Sequence, residues 1–336
     1  MYDVVIVGGG AAGLSAAMTL GRSRRSVAVI DAGEPRNAPA AGVHGFLSRD
    51  GMNPLELLRA GHAEVAAYGG QMMNGKATSI TRSDADFEVA VDDGTVVRGR
   101  RLLVTTGLID ELPAVSGLRE RWGKDVLHCP YCHGWEVRDQ AIGILGSGPM
   151  AVHQAQMFRQ WSDNITLFLN TAPQPNDDEW EQLAARGISV VDGKVASLNV
   201  ADDVLTGVVL DDGSTHPVQA LAVAPRFMAR ADLLAGLGLQ VADHPMGGCF
   251  VESDPNGLTT VPGVWVAGNV ADLRAQVMGA AASGVQAAVA INSDLIAEDI
   301  DAAVATRLDN YSAKSEARNT ERVLGDRRHG VESMVK

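Results

Sequence analysis

Asp3-Val-Val-Ile-Val-Gly8-Gly-Gly10-Ala-Ala-Gly13 reads as an apolar strand that runs into a glycine turn and then into a helix. A strand covered on both faces needs a continuous apolar run, and a helix start that admits a pyrophosphate needs glycines where backbone and ligand approach. The next apolar run, Val27-Ala-Val-Ile30, ends in Asp31, 21 residues beyond Gly10. That is close to the ~20-residue offset at which a carboxylate meets a ribose hydroxyl. Together these residues predict a βαβ dinucleotide-binding unit with Gly8, Gly10, Ala11, Ala12, Gly13 and Asp31 at its ligand.

The unit occurs twice. Ala141-Ile-Gly-Ile-Leu-Gly146-Ser-Gly148-Pro-Met-Ala151 repeats the turn 138 positions later. Gly75-Lys-Ala-Thr-Ser, Asp92-Asp-Gly94 and Leu102-Leu-Val104 return as Gly193-Lys-Val-Ala-Ser, Asp211-Asp-Gly213 and Leu221-Ala-Val223, 118 to 119 positions on. Each copy is therefore expected to run strand, glycine turn, helix, strand, hairpin meander and closing strand, which makes the chain α/β with two Rossmann-like units. The copies differ at the ligand. Ile165-Thr-Leu-Phe168 leads into Leu169-Asn170-Thr171, which offers neither a carboxylate for a ribose nor an arginine for a 2′-phosphate. The second turn either binds a coenzyme weakly or only keeps the fold.

Thr106 and Gly107 close the first unit and let backbone approach a ligand, whereas Ala224-Pro225-Arg226 closes the second. Farther on, Thr259 to Asn269 reads as a short strand that ends in Gly268 and delivers Asn269 over a crevice. The uncharged run from Ala275 through Gln276 to Ser293 is expected to be a buried, tightly packed helix whose N-terminal dipole favours negative charge on a bound ring.

With 28 Lys and Arg against 41 Asp and Glu in 336 residues, the formal charge is −13, and no basic cluster offers a footprint for nucleic acid or anionic lipid. Ala and Gly dominate the longest uncharged run, so no membrane span is expected. The N-terminus lacks a basic region and cleavage site, and three cysteines are too few for an extracellular scaffold. A cytoplasmic, reducing location is the expectation.

Cys129-Pro-Tyr-Cys132, flanked by His128 and His133, is the reactive constellation. The spacing closes a small disulfide and lowers one thiol pKa, so the pair can hold two electrons. A zinc half-site and two inert thiols are the competing chemistries. Zinc wants about four ligands and no second Cys-x-x-Cys exists, so the expectation is no metal. Cys249 reads as packing.

The order of these motifs over residues 1 to 300 resembles the low-molecular-weight thioredoxin reductase family. The resemblance implies a homodimer with a discontinuous FAD domain (1–116 and 246–310), an inserted NAD(P)-like domain carrying the dithiol (117–245) and a tail (311–336). It also implies that Cys132 faces the flavin, that Cys129 exchanges with substrate, and that Asn269 bonds the ribityl chain. A loop with Asn37, His44, Phe46, Leu47 and Arg49 would lie at the isoalloxazine edge or simply cover FAD. Two departures stand out. His133-Gly134 replaces the Asp-Gly of thioredoxin-reducing members, and Leu169-Asn170-Thr171 replaces a basic His-Arg-Arg run, leaving NADPH a doubtful coenzyme.

Cys-Pro-Tyr-Cys-His-Gly-Trp-Glu is more similar to the dithiol oxidases that close disulfides in small natural products. The function expected is oxidation of a dithiol, either a small molecule or a thioredoxin-like protein, with O2 as acceptor. His133 takes the substrate proton and Glu136 orients it. The alternatives are a thioredoxin reductase fed by NADPH or another donor such as ferredoxin, and a non-enzymatic flavin redox sensor. Residues 311 to 336 alternate charges without an apolar face and read as a frayed helix or tail.

Overall fold

The computed structural model describes residues 1–83, 86–245, 247–310 and 312–324. The chain forms two compact units, Met1–Ala288 and a second one beginning at Val289. In the first, the apolar run before the glycines is β1 (Tyr2–Val7), followed by α1 (Ala11–Arg22), β2 (Val27–Asp31), α2 (Pro54–Ala67) and β3 (Gln71–Asn74). A meander of β4 (Ala77–Ser83), β5 (Asp86–Val91) and β6 (Val96–Val104) returns the chain, so that the sheet reads β3-β2-β1-β6-β5-β4. β1 lies parallel to β2 and β6, with Val4 opposite Val27 and Arg101. Its last four residues are buried, whereas β5 in the antiparallel part alternates half-buried and buried side chains.

β7 (Leu108–Glu111), α3 (Leu118–Arg121), β8 (Val126–Leu127) and α4 (Pro130–His133) lead to the second copy. It comprises β9 (Ile142–Leu145), α5 (Ala151–Phe158), β10 (Ile165–Phe168), α6 (Asp177–Ala185), β11 (Ser189–Val191), β12 (Val195–Ala201), β13 (Val204–Leu210), β14 (Thr215–His216) and β15 (Ala220–Val223). The order β11-β10-β9-β15 repeats β3-β2-β1-β6, with β8 added at the edge. The first glycine of each turn makes the same bond, Gly8 N to Ile30 O and Gly146 N to Phe168 O, both 2.8 Å.

The copies diverge after the hairpin. β6 runs unbroken for nine residues and joins the meander to the parallel strands. In the second copy Pro217 falls between β14 and β15, and β12-β13-β14 forms a separate sheet. Proline has no amide hydrogen to offer a ladder, so the strand ends where it stands.

β16 (Arg226–Ala229) lies antiparallel to β7 and carries β18 (Cys249–Phe250) and β17 (Ala242–Asp243) beside it. β19 (Val264–Val266) then pairs with β6. Val5, Leu102, Val104, Phe87 and Val266 share one core around the first sheet. Ile144, Ala155, Phe158 and Leu167 pack under α5, and Leu145, Phe168, Val208 and Leu221 pack between the second sheet and the detached meander. Each such large side chain taken from water contributes about 1.5–3 kcal/mol before entropy is charged against it.

The helix expected from Ala275 to Ser293 is α7 (Val277–Asn310), which starts two residues later and runs well past the uncharged stretch. It is not buried all round. Gly284, Ala287 and Ala288 are covered, but Met278, Val285 and Val289 are exposed. In the second unit α8 (Ala313–Leu324) follows, so part of the expected tail is helical; residues 325–336 lie outside the described residues. No helix among the described residues is long and apolar enough to cross a membrane.

Candidate active site

The first glycine turn divides its labour. A methyl on Gly8, whose φ is +109°, would stand 2.5 Å from the Thr105 carbonyl oxygen, and one on Gly13 would collide with the Gly8 carbonyl. A methyl on Gly10 would meet nothing within 4 Å. Gly8 and Gly13 therefore serve close packing, and only Gly10 leaves open space for a ligand. The Thr105 hydroxyl ties the layers by donating to Gly8 O at 2.8 Å. α1 begins at Gly10 with no side-chain cap, so its first amides are left for an anion. Asp31 Oδ1 accepts from Gly9 N at 3.0 Å, which aims the carboxylate across the turn.

These residues open onto a cleft of about 1310 Å³. Gly8, Gly10, Ala11, Ala12 and Asp31 line one end. Asn37, His44, Thr106, Gly107, Gly268, Asn269, Ala275 and Gln276 line it farther on, as do Cys129, Cys132 and His133. Gly13 stands apart from the cleft. Arg36 forks onto Asp110 through Nε and a terminal nitrogen at 2.7 and 2.6 Å, which anchors the loop before Asn37. Thr106 spends its hydroxyl hydrogen on Arg230 O at 2.6 Å.

Asn269 lies in a 3-10 turn, Gly268–Val270, and not at a strand end. Its Nδ2 donates to Asp272 O at 2.9 Å and Ala275 O at 2.8 Å. Both amide hydrogens are used internally, and the oxygen alone remains for a ligand.

Cys129 and Cys132 are joined in a disulfide, their Cα atoms 5.3 Å apart. Cys129 caps α4, Pro130 takes the first helical position, and His133 N donates to Cys129 O at 3.1 Å. Gly134 is a glycine for want of room, since a methyl there would press on the Trp161 ring at 2.9 Å. Gln276 Nε2 approaches Cys129 Sγ at 3.8 Å. Burial pushes His133 below the usual imidazole range; the Glu136 carboxylate opposes this and His44 reinforces it. Histidine 133 is thus neutral near pH 7 and can accept a proton.

The expectation that Glu136 orients His133 needs correction. Glu136 pairs with His44 Nε2 at 3.5 Å, and His44 Nδ1 lies 3.5 Å from Asp50. The His44 and His133 rings meet edge-on, 6.4 Å apart. A loop from the first copy thus reaches the redox turn, an apposition no local spacing announces. Among the described residues, no three of His, Cys, Asp and Glu converge as metal ligands.

At the second turn Asn170 has φ +48° and folds its side chain inward. Its Nδ2 donates to Gly146 O at 3.0 Å and its Oδ1 accepts from Val195 N at 3.1 Å. The position where a coenzyme reader would stand is occupied by a bracket between the glycine turn and the meander.

Residues 2–289 match the family described as pyridine nucleotide-disulphide oxidoreductase. The chain belongs to that family. Among curated relatives, thioredoxin reductase sirT of Leptosphaeria maculans is 30% identical over 319 residues, covering 90% of this chain and 97% of the relative. The thioredoxin reductase of Aquifex aeolicus is 25% identical, covering 88% of this chain and 94% of that protein. Among solved structures, HlmI superposes with a TM-score of 0.86 at 46% identity, covering 92% of this chain and 97% of its own. As a family member the chain is a flavin-dependent thiol-disulfide oxidoreductase of thioredoxin reductase type, and FAD is its cofactor. The open space at Gly10, the uncapped helix start and Asp31 fit that group.

Met150, His153, Gln154 and Met157 are among the cleft residues that escaped the sequence reading. They recur at three- and four-residue spacing from the second glycine turn, a pattern present in the sequence.

Proposed function

We propose that this oxidoreductase runs in the oxidising direction, closing the disulfide of a dithiol substrate and passing the electron pair to O2. The observation that carries this is the Asn170 bracket, which leaves the second glycine turn without a reader for ribose or 2′-phosphate. In the proposed organisation, residues 1–116 and 246–310 hold FAD, residues 117–245 carry the dithiol, and two copies form a homodimer. Gly8, Gly10, Ala11, Ala12, Asp31, Thr106, Gly107 and Gly268 hold the cofactor, with Asn37, His44, Asn269, Ala275 and Gln276 around it.

Neutral His133 takes the proton of one substrate thiol. The thiolate attacks Cys129 Sγ, breaking the Cys129 to Cys132 bond and leaving Cys132 as thiolate. The second substrate thiol then attacks the mixed disulfide, closing the substrate ring and freeing Cys129. Gln276 Nε2 is placed to steady charge on that sulfur. Two electrons now reside on the cysteine pair. FAD, when bound, would supply a two-electron acceptor for that pair, with O2 as the final acceptor in this reading.

Oxygen uptake on mixing the holoenzyme with dithiothreitol is expected, and the Cys129→Ser, Cys132→Ser double variant abolishes it. Absence of uptake, with anaerobic bleaching of the flavin by one equivalent of NADPH, would establish the reductase instead.

A further inference from the structure

Residues 43–52 form a loop closed on itself by bonds from Val43 N to Met52 O and from Gly51 N to Val43 O, both 2.8 Å. His44 belongs to this closed segment and stands between two carboxylates, with Asp50 Oδ1 3.5 Å from its Nδ1 and Glu136 Oε1 3.5 Å from its Nε2. Asp50 is itself held. The same oxygen accepts from Gly45 N at 2.9 Å, and that bond, with His44 beside it, keeps the carboxyl below the usual range. Both contacts of His44 are attractive only where each ring nitrogen carries a hydrogen, which describes the imidazolium and neither neutral tautomer.

Such a ring acts on the imidazole next to it. Its edge meets His133 with 6.4 Å between ring centres. The charged groups that bear on His133 are Glu136, three residues on in its own segment, and His44 from the loop. Glu136 favours the protonated ring and His44 opposes it. The basic side chains nearest in sequence are engaged elsewhere: Arg138 stacks on Trp135 at 4.1 Å from the ring centre and donates to Trp135 O at 2.7 Å, and Arg49 donates to Ser48 O at 3.2 Å. A carboxylate left alone beside His133 would stabilise its charged form and blunt it as a base. Here the carboxylate is answered by a ring that lies against the same imidazole.

We propose that Asp50 and His44 are positioning residues that take up the Glu136 carboxylate and set a cation against His133, so that His133 stays free of a proton and ready to receive one from the substrate thiol. The inference rests on the reading of His133 as the base of dithiol oxidation, but the arrangement it requires exists whichever way the enzyme runs.

Histidine-labelled holoenzyme is titrated by NMR, with His133→Gln identifying the His133 signal, and oxygen uptake with dithiothreitol is followed over the same pH range. In His44→Phe, which keeps a ring in place without its nitrogens, the His133 midpoint rises, since the cation is gone and Glu136 remains. In Glu136→Gln it falls, because Glu136 has the larger influence of the two neighbours. The acid limb of kcat/KM follows. Well below the limb, the rate relative to the plateau above it drops about threefold in His44→Phe, the change that a half-unit displacement produces, and rises in Glu136→Gln. His44→Gln gives the same sign where the phenylalanine variant folds poorly. A contact that only ties the loop down is broken by either substitution and does not displace the midpoint in opposite directions. Midpoints that move together, or that do not move, overturn the inference. Failure of the oxidase reading is separate, because oxygen uptake would then be absent while the opposed NMR shifts persisted.

Discussion

Alanine substitutions at Gly10 and Gly13, three residues apart in one turn, should fail in opposite ways. At Gly13 the new methyl would drive into the Gly8 carbonyl and stand 2.7 Å from Thr105 Oγ1, the hydroxyl that bonds Gly8 O at 2.8 Å and Val7 O at 3.2 Å. Backbone carbonyls of a sheet interior cannot retreat as a flexible side chain can. Overpacking of this kind costs about 1–3 kcal/mol, and the helix propensity regained from glycine offsets at most about 1 kcal/mol. At Gly10 the backbone is extended, with φ −75°, and the methyl meets nothing, so the cofactor-free protein changes by about 0.5 kcal/mol or less. FAD affinity should instead fall by about 10- to 100-fold, since the methyl takes the space through which backbone approaches the pyrophosphate. Urea unfolding of the apoprotein and fluorescence titration with FAD separate the two. A Gly10→Ala apoprotein as unstable as Gly13→Ala, or one that binds FAD normally, would refute the division of roles.

Two further outcomes follow from the site. Because burial lowers the His133 pKa, the imidazole stays neutral until the pH drops through that lowered value. The acid limb of kcat/KM for dithiol oxidation therefore lies below pH ~6.5, and His133→Gln loses it; a limb centred above that value would be inconsistent. Asn170→Asp replaces the donor to Gly146 O with an acceptor and should cost about 1–3 kcal/mol in urea unfolding without creating reduction by NADH. A variant as stable as the wild type would show that the bracket does not hold the second glycine turn.

The parts of the fold legible in sequence were those carried by local pattern. Gly8, Gly146 and the paired apolar strands announced the duplication, and Cys129 with Cys132 announced the redox pair. Other features depended on residues distant in the chain. Glu136 is claimed by His44, 92 positions away, and not by its neighbour His133. Asn269 spends its amide hydrogens on the segment that leads into α7, where the strand pattern suggested a free side chain. The end of α7 was misplaced because loss of an uncharged run was read as loss of helix, although the Asp, Glu and Ala residues that follow are adequate helix formers on an exposed face.

The Trp161 ring behind Gly134 bears on how such a protein can diversify. Within Cys129-Pro-Tyr-Cys-His-Gly-Trp135, the glycine admits no substituent, whereas Tyr131 is 69% exposed and Trp135 66%. Substitution at the two outward positions meets little steric resistance, whereas any side chain at Gly134 must displace the Trp161 ring or the Pro130 carbonyl.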